Sequence, residues 1–76
     1  MIKKSMTIRG HRTSISLEAA FWEQLEKIAV LRGLSVSALV AEIDDQRTKA
    51  LISGEETGGL SSMIRVYLLQ HALQSR

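Results

Sequence analysis

The spacing of hydrophobic residues changes along this chain, and the change marks out its elements. Over residues 11–18, HRTSISLE, apolar and polar side chains alternate. Thr13, Ile15 and Leu17 fall on one face of an extended segment and Arg12, Ser14 and Ser16 on the other, which predicts a β-strand. From Glu18 to Arg32 the spacing becomes three and four. Phe21, Leu25, Ile28 and Ala29 form a helical stripe that Trp22 widens. Glu18 and Glu23 lie toward its N-terminal end and Lys27 and Arg32 toward its C-terminal end, as the helix dipole favours. Gly33 is placed to end this helix in the left-handed conformation.

Ser35 reads as the N-cap of a second helix with Val36, Leu39, Val40 and Ile43 on its apolar side. Two carboxylates in a last turn would oppose the dipole, so this helix is expected to run past Asp44 and Asp45 and stop near Ser53-Gly54. Residues 53–59, SGEETGG, form a polar glycine-rich loop. Leu60 to Ser75 predicts a third helix, capped by Ser61 or Ser62. Its apolar residues (Met63, Ile64, Val66, Tyr67, Leu68, Leu69, Ala72, Leu73) cover most of its surface and imply burial on more than one side. GLSVSALV (33–40) and GLSSMIRV (59–66) resemble each other as repeated cap chemistry, too short and too few for a solenoid repeat.

A lone strand cannot satisfy its own backbone groups. Two partners are open to it. One is the same strand of a second chain. The other is upstream: Met6 and Ile8 also alternate and Gly10 can turn the chain, giving a hairpin within residues 5–17. The intermolecular pairing is the one expected, with the upstream residues flanking it, because a lone hairpin is only marginally stable.

Composition narrows the classes. With 76 residues the chain is one small domain, short of core area unless stapled or oligomeric. It has no cysteine, and His11 and His71 are too far apart in sequence to suggest a metal site, so oligomerisation is the expected route. A hydrophobic content of 45% fits a core shared between subunits. No apolar run approaches the roughly 20 residues of a membrane span, and no apolar run follows the basic N-terminus as in a signal peptide. A cytoplasmic protein is expected. The net charge is only +2, but Lys3, Lys4, Arg9 and Arg12 all precede the first acid, Glu18. That clustering is a common footprint of nucleic-acid binding. No Ser-His-Asp set, phosphate loop or thiol points to an enzyme, and no cofactor or metal is expected. Glu42, Asp44 and Asp45 read as a solvated acidic face and not as a cation site.

The order of these features carries a resemblance. R-T-S-I-S-L-E (12–18), F-W-x-x-L-x-x-I-A (21–29) and R-G-L-S-V-S-A-L-V (32–40) together resemble the ribbon-helix-helix, Arc/MetJ-like, family of bacterial DNA-binding proteins. The resemblance covers about residues 11–47. It implies a mainly α fold in which one short strand pairs antiparallel with the same strand of a second subunit, forming a ribbon for the major groove. Arg12, Ser14 and Ser16 would then face base edges. The start of the second helix, Ser35, Val36 and Ser37, would hold a DNA phosphate, as an uncompensated helix N-terminus can. Lys3, Lys4, Arg9 and His11 would contact phosphates beside the ribbon. The dimer core would comprise Thr13, Ile15, Leu17, Phe21, Trp22, Leu25, Ile28, Leu39, Val40 and Ile43.

The residue types suit this task in their own right. Arginine can bond guanine O6 and N7 together, a contact worth about 1–3 kcal/mol of discrimination, and serine both donates and accepts. Two serines per strand imply permissive readout, so adjacent dimers on DNA could supply selectivity. The expected organisation is a basic, partly ordered arm (1–10), a ribbon-helix-helix core (11–52), the loop (53–59) and an additional C-terminal helix (60–76). The expected function is a homodimeric, sequence-specific binder of double-stranded DNA acting as a transcriptional regulator. The alternative is a dimeric protein-interaction module of the same fold, antitoxin-like, meeting a protein partner through the C-terminal helix.

Overall fold

A computed structural model describes residues 1–52 and 59–74. Two strands, β1 (Ile2–Ile8) and β2 (His11–Leu17), precede three helices, α1 (Ala19–Arg32), α2 (Val36–Ile52) and α3 (Leu60–Gln74). The glycine-rich stretch 53–59 lies, apart from Gly59, outside the described residues.

The strand expected at 11–17 is β2, and its partner within the chain is β1. Residues 1–10, read from sequence as an arm, are a strand and a turn. The hairpin is longer than the 5–17 considered from sequence: its antiparallel register runs from Ile8↔His11 to Ile2↔Leu17. Arg9 and Gly10 make the turn with φ of 51° and 82°. Two consecutive positive φ values define the mirror-image turn whose twist matches that of paired strands. In such a two-residue hairpin the pair flanking the turn is hydrogen-bonded and pairs alternate from there. Met6 and Thr13, and Lys4 and Ile15, therefore bond across the ladder. The backbone groups of Arg12, Ser14 and Ser16 point away from β1, toward the other edge of β2.

One face of the hairpin packs on the helices. Ile8, Ile15 and Leu17 are buried and Met6 and Thr13 half-buried against Trp22, Leu25, Ile28, Leu39, Val40, Ile43, Ile64 and Leu68. Lys4 shares this inward parity, being opposite Ile15, yet stays exposed. Its ammonium lies 5.0 Å from the Trp22 ring centroid and 3.1 Å from Glu26 Oε1, so β1 tolerates a charge where alternation calls for an apolar residue.

Gly33 ends α1 with φ 68°, and Leu34 N–H donates to the Ala29 carbonyl over 2.8 Å. Ser35 caps α2, its Oγ accepting from Ala38 N–H at 3.1 Å. The second Gly-Leu-Ser stretch is used in a different register. Helix α3 already begins at Leu60, and Met63 N–H donates to the Gly59 carbonyl. Ser61 and Ser62 therefore sit inside the first turn, not before it. Ile64 and Leu68 bury one side of α3, while Val66, Leu69 and Leu73 remain exposed. Among the described residues no helix is long and apolar enough to cross a membrane.

Candidate nucleic-acid interface

The hairpin register assembles a polar face from both strands. Ser16 lies opposite Lys3, Ser14 opposite Ser5, and Arg12 opposite Thr7. All six side chains have the parity that points away from the helices. Five are exposed and Ser16 is half-buried. The Oγ atoms of Ser5 and Ser14 are 3.2 Å apart and share a hydrogen bond. Neither strand contributes an acid to this face. Of this face the sequence pointed to the β2 half and to Lys3, and missed Ser5 and Thr7, because residues 1–10 were expected to be an arm.

The four basic residues near the hairpin divide into two kinds. Lys4 is matched by Glu26, and Arg9, at the turn, donates to the Asp45 carboxylate of α2. That carboxylate raises the Arg9 pKa, through the hydrogen bond first and its charge after. Lys3 and Arg12 have no carboxylate partner among the described residues. The two free cations are therefore those on the polar face. His11 is exposed at the start of β2.

The acidic residues of α2, read from sequence as a solvated face, serve as ion-pair partners. Asp45 holds the hairpin turn. Glu42 accepts from both terminal nitrogens of Arg32, one of them at 2.9 Å, and its pKa is lowered chiefly by that guanidinium. Arg65 of α3 donates to Glu18 at 2.9 Å. These pairs lock α1 to α2 and α3.

The N-terminal turn of α2 stands apart from the hairpin turn. Asp45, which meets Arg9, is nine residues from Val36, about 14 Å along the helix. Ser35 already satisfies the Ala38 N–H. The N–H groups of Val36 and Ser37 have no acceptor within the helix, and no acid occupies the first turn. Ser35, Val36 and Ser37 thus form a donor group separate from the hairpin turn.

The free edge of β2 borders an open groove of about 530 Å³, whose far wall is the start of α3 from Gly59 to Ser62. On another side, Phe21 and Ile28 of α1 and Val66 and Leu69 of α3 line an apolar groove. Most residues expected in a dimer core are buried within one chain: Ile15, Leu17, Trp22, Leu25, Ile28, Leu39, Val40 and Ile43. Thr13 and Phe21 are half-buried.

No curated protein and no solved structure matches the chain. A family model described as the ribbon-helix-helix domain matches residues 1–72, a span that takes in both strands, α1, α2 and most of α3. With the ribbon and the helices that carry it both in place, the chain belongs to the ribbon-helix-helix family.

Proposed function

We propose that this protein is a homodimeric DNA-binding regulator that reads the major groove with β2. The observation that carries the reading is the polar face of the hairpin, where Lys3 and Arg12 have no carboxylate partner among the described residues and neither strand contributes an acid. Arg12, Ser14 and Ser16 contact base edges, with Arg12 making the bidentate guanine contact. Lys3 and His11 contact phosphates beside the ribbon, and Ser35, Val36 and Ser37 hold a phosphate at the α2 N-terminus. Lys4 and Arg9, whose charges are met by Glu26 and Asp45, are assigned to holding the hairpin in place.

Dimerisation uses the free edge of β2, where backbone groups of Arg12, Ser14 and Ser16 can pair with the same strand of a second copy. Such an antiparallel pair is a self-complementary, two-fold contact. The exposed Leu31, Leu69 and Leu73 supply further apolar surface to cover. A second reading, a protein-interaction module, is favoured by the apolar groove between α1 and α3.

The test is a titration against pooled fragments of the source genome at two salt concentrations, comparing wild type with Arg12→Ala. The regulator reading expects salt-sensitive binding of a subset of fragments, weakened and made less selective by the substitution. A folded dimer that binds no fragment would sink it and turn attention to the α1/α3 groove.

A further inference from the structure

We infer that β1 is a phosphate-contacting rail, with Lys3 and Thr7 as DNA-backbone contacts that flank the reading strand. The inference rests on the proposed pairing of β2 with its copy. That pairing gives a four-stranded sheet in the order β1-β2-β2-β1, because β1 already fills the opposite edge of each β2. Adjacent strands lie about 4.8 Å apart, so the two β2 strands span about 5 Å and the two β1 strands about 14 Å. The major groove is about 12 Å wide. The central pair fits between the groove walls and the outer pair does not. Each β1 strand therefore lies above a ridge of phosphates.

The side chains that β1 turns to that ridge suit it. Lys3, Ser5 and Thr7 share the polar face with Ser16, Ser14 and Arg12. Lys3 brings a cation with no carboxylate partner among the described residues. Thr7 brings an exposed hydroxyl. Neither reads sequence there, since phosphates are the same at every step. Ser5 has a mixed role: its hydroxyl is bonded to that of Ser14 and orients a reading residue. Lys4, one residue on, faces the other way and takes no part.

The inference separates the two strands by function, and one experiment reads both. Lys3→Ala and Thr7→Val are titrated beside Arg12→Ala against a preferred fragment and a random one, over a range of salt. Each protein is first checked for wild-type circular dichroism and dimer mass; both β1 positions are exposed. Lys3→Ala removes two phosphate contacts per dimer and should flatten the slope of log affinity against log salt by about 1.8. Thr7→Val should weaken binding to both fragments by the same factor, and Thr7→Ser should restore it. In neither case should the ratio between the fragments change.

Loss of selectivity in Thr7→Val would place β1 inside the groove, with the chain's own hairpin as the reading ribbon, and overturn the inference. Unchanged affinity and slope in both β1 variants would lift β1 off the DNA and overturn it too. In either event Arg12→Ala still reports on the underlying reading. That reading fails separately if wild type shows no preference between fragments and Arg12→Ala binds as wild type does.

Discussion

The indole N–H of Trp22 donates to the backbone carbonyl of Ile2 over 2.8 Å, tying the first residue of β1 to the first turn of α1. Trp22 is 2% exposed, so this is its buried polar handle. Trp22→Phe keeps an aromatic ring but removes the bond and part of the buried indole. It should cost about 0.5–1.5 kcal/mol for the bond together with the lost packing, a fall in Tm of several degrees. Amide exchange should quicken in β1 more than in α2. Equal quickening across the chain would mean that β1 does not depend on this anchor.

Gly10 sits at φ 82° with nothing within 4 Å of the position its Cβ would take. Space does not forbid a side chain there; the backbone conformation does. Gly10→Ala should lower stability by about 1–2 kcal/mol, whereas Gly10→Asn should cost less, asparagine tolerating the left-handed region. Equal denaturant midpoints for both variants would show that the turn is not confined to this conformation.

Ile15 is 2% exposed at the centre of the hairpin's inner face. Ile15→Ala should cost about 2–5 kcal/mol and Ile15→Asp should prevent folding, since no partner awaits a charge there. A normally folded Ile15→Asp protein would mean that the strand faces the other way.

Acid should weaken the helix ties. The Arg32 guanidinium holds Glu42 below its ordinary value of 4.5. Glu18 is held below the same value by its own backbone N–H first and by Arg65 after. A carboxyl lowered in the folded state stabilises fully above the unfolded pKa and loses that contribution as pH falls through the folded one. Tm should therefore be level from neutral pH down to about 5 and fall below about 4.5. Glu42→Gln should lower the plateau and shallow the acid fall; an unaltered fall would assign it to other groups.

Lys4→Ala should leave the salt dependence of DNA binding as it is while lowering Tm modestly, because its ammonium is engaged with Glu26 and Trp22. A slope flattened as much as by Lys3→Ala would put Lys4 on the DNA after all.

The strand faces of β2 were legible because a period of two depends on side-chain alternation alone. The ends of α1 and the start of α2 were legible from Gly33 and Ser35, whose chemistry is local. The second half of β1 was legible as one of two alternatives, from Met6, Ile8 and Gly10; its first half was hidden by Lys4, a charge at an inward position, and the Arg-Gly turn is a weaker signal than Asn-Gly. What makes both acceptable is tertiary: Trp22 and Glu26 receive the lysine, and Asp45 holds Arg9. The same long-range partners decide which cations remain free, so the division of Lys3 and Arg12 from Lys4 and Arg9 could not be read along the chain. The third helix was visible with its start at Leu60, but its cap was misassigned to Ser61 or Ser62, because a serine inside the first turn looks like one before it.

The position of β1 also sets a limit on stoichiometry. A strand with two open edges can be paired on both sides, and copies joined that way have no reason to stop. Here β1 occupies one edge of β2, and its own outer margin bears lysines, which discourage further strand addition. If two copies join through the free edge of β2, as proposed, they close on themselves, and growth along the sheet would end at a pair.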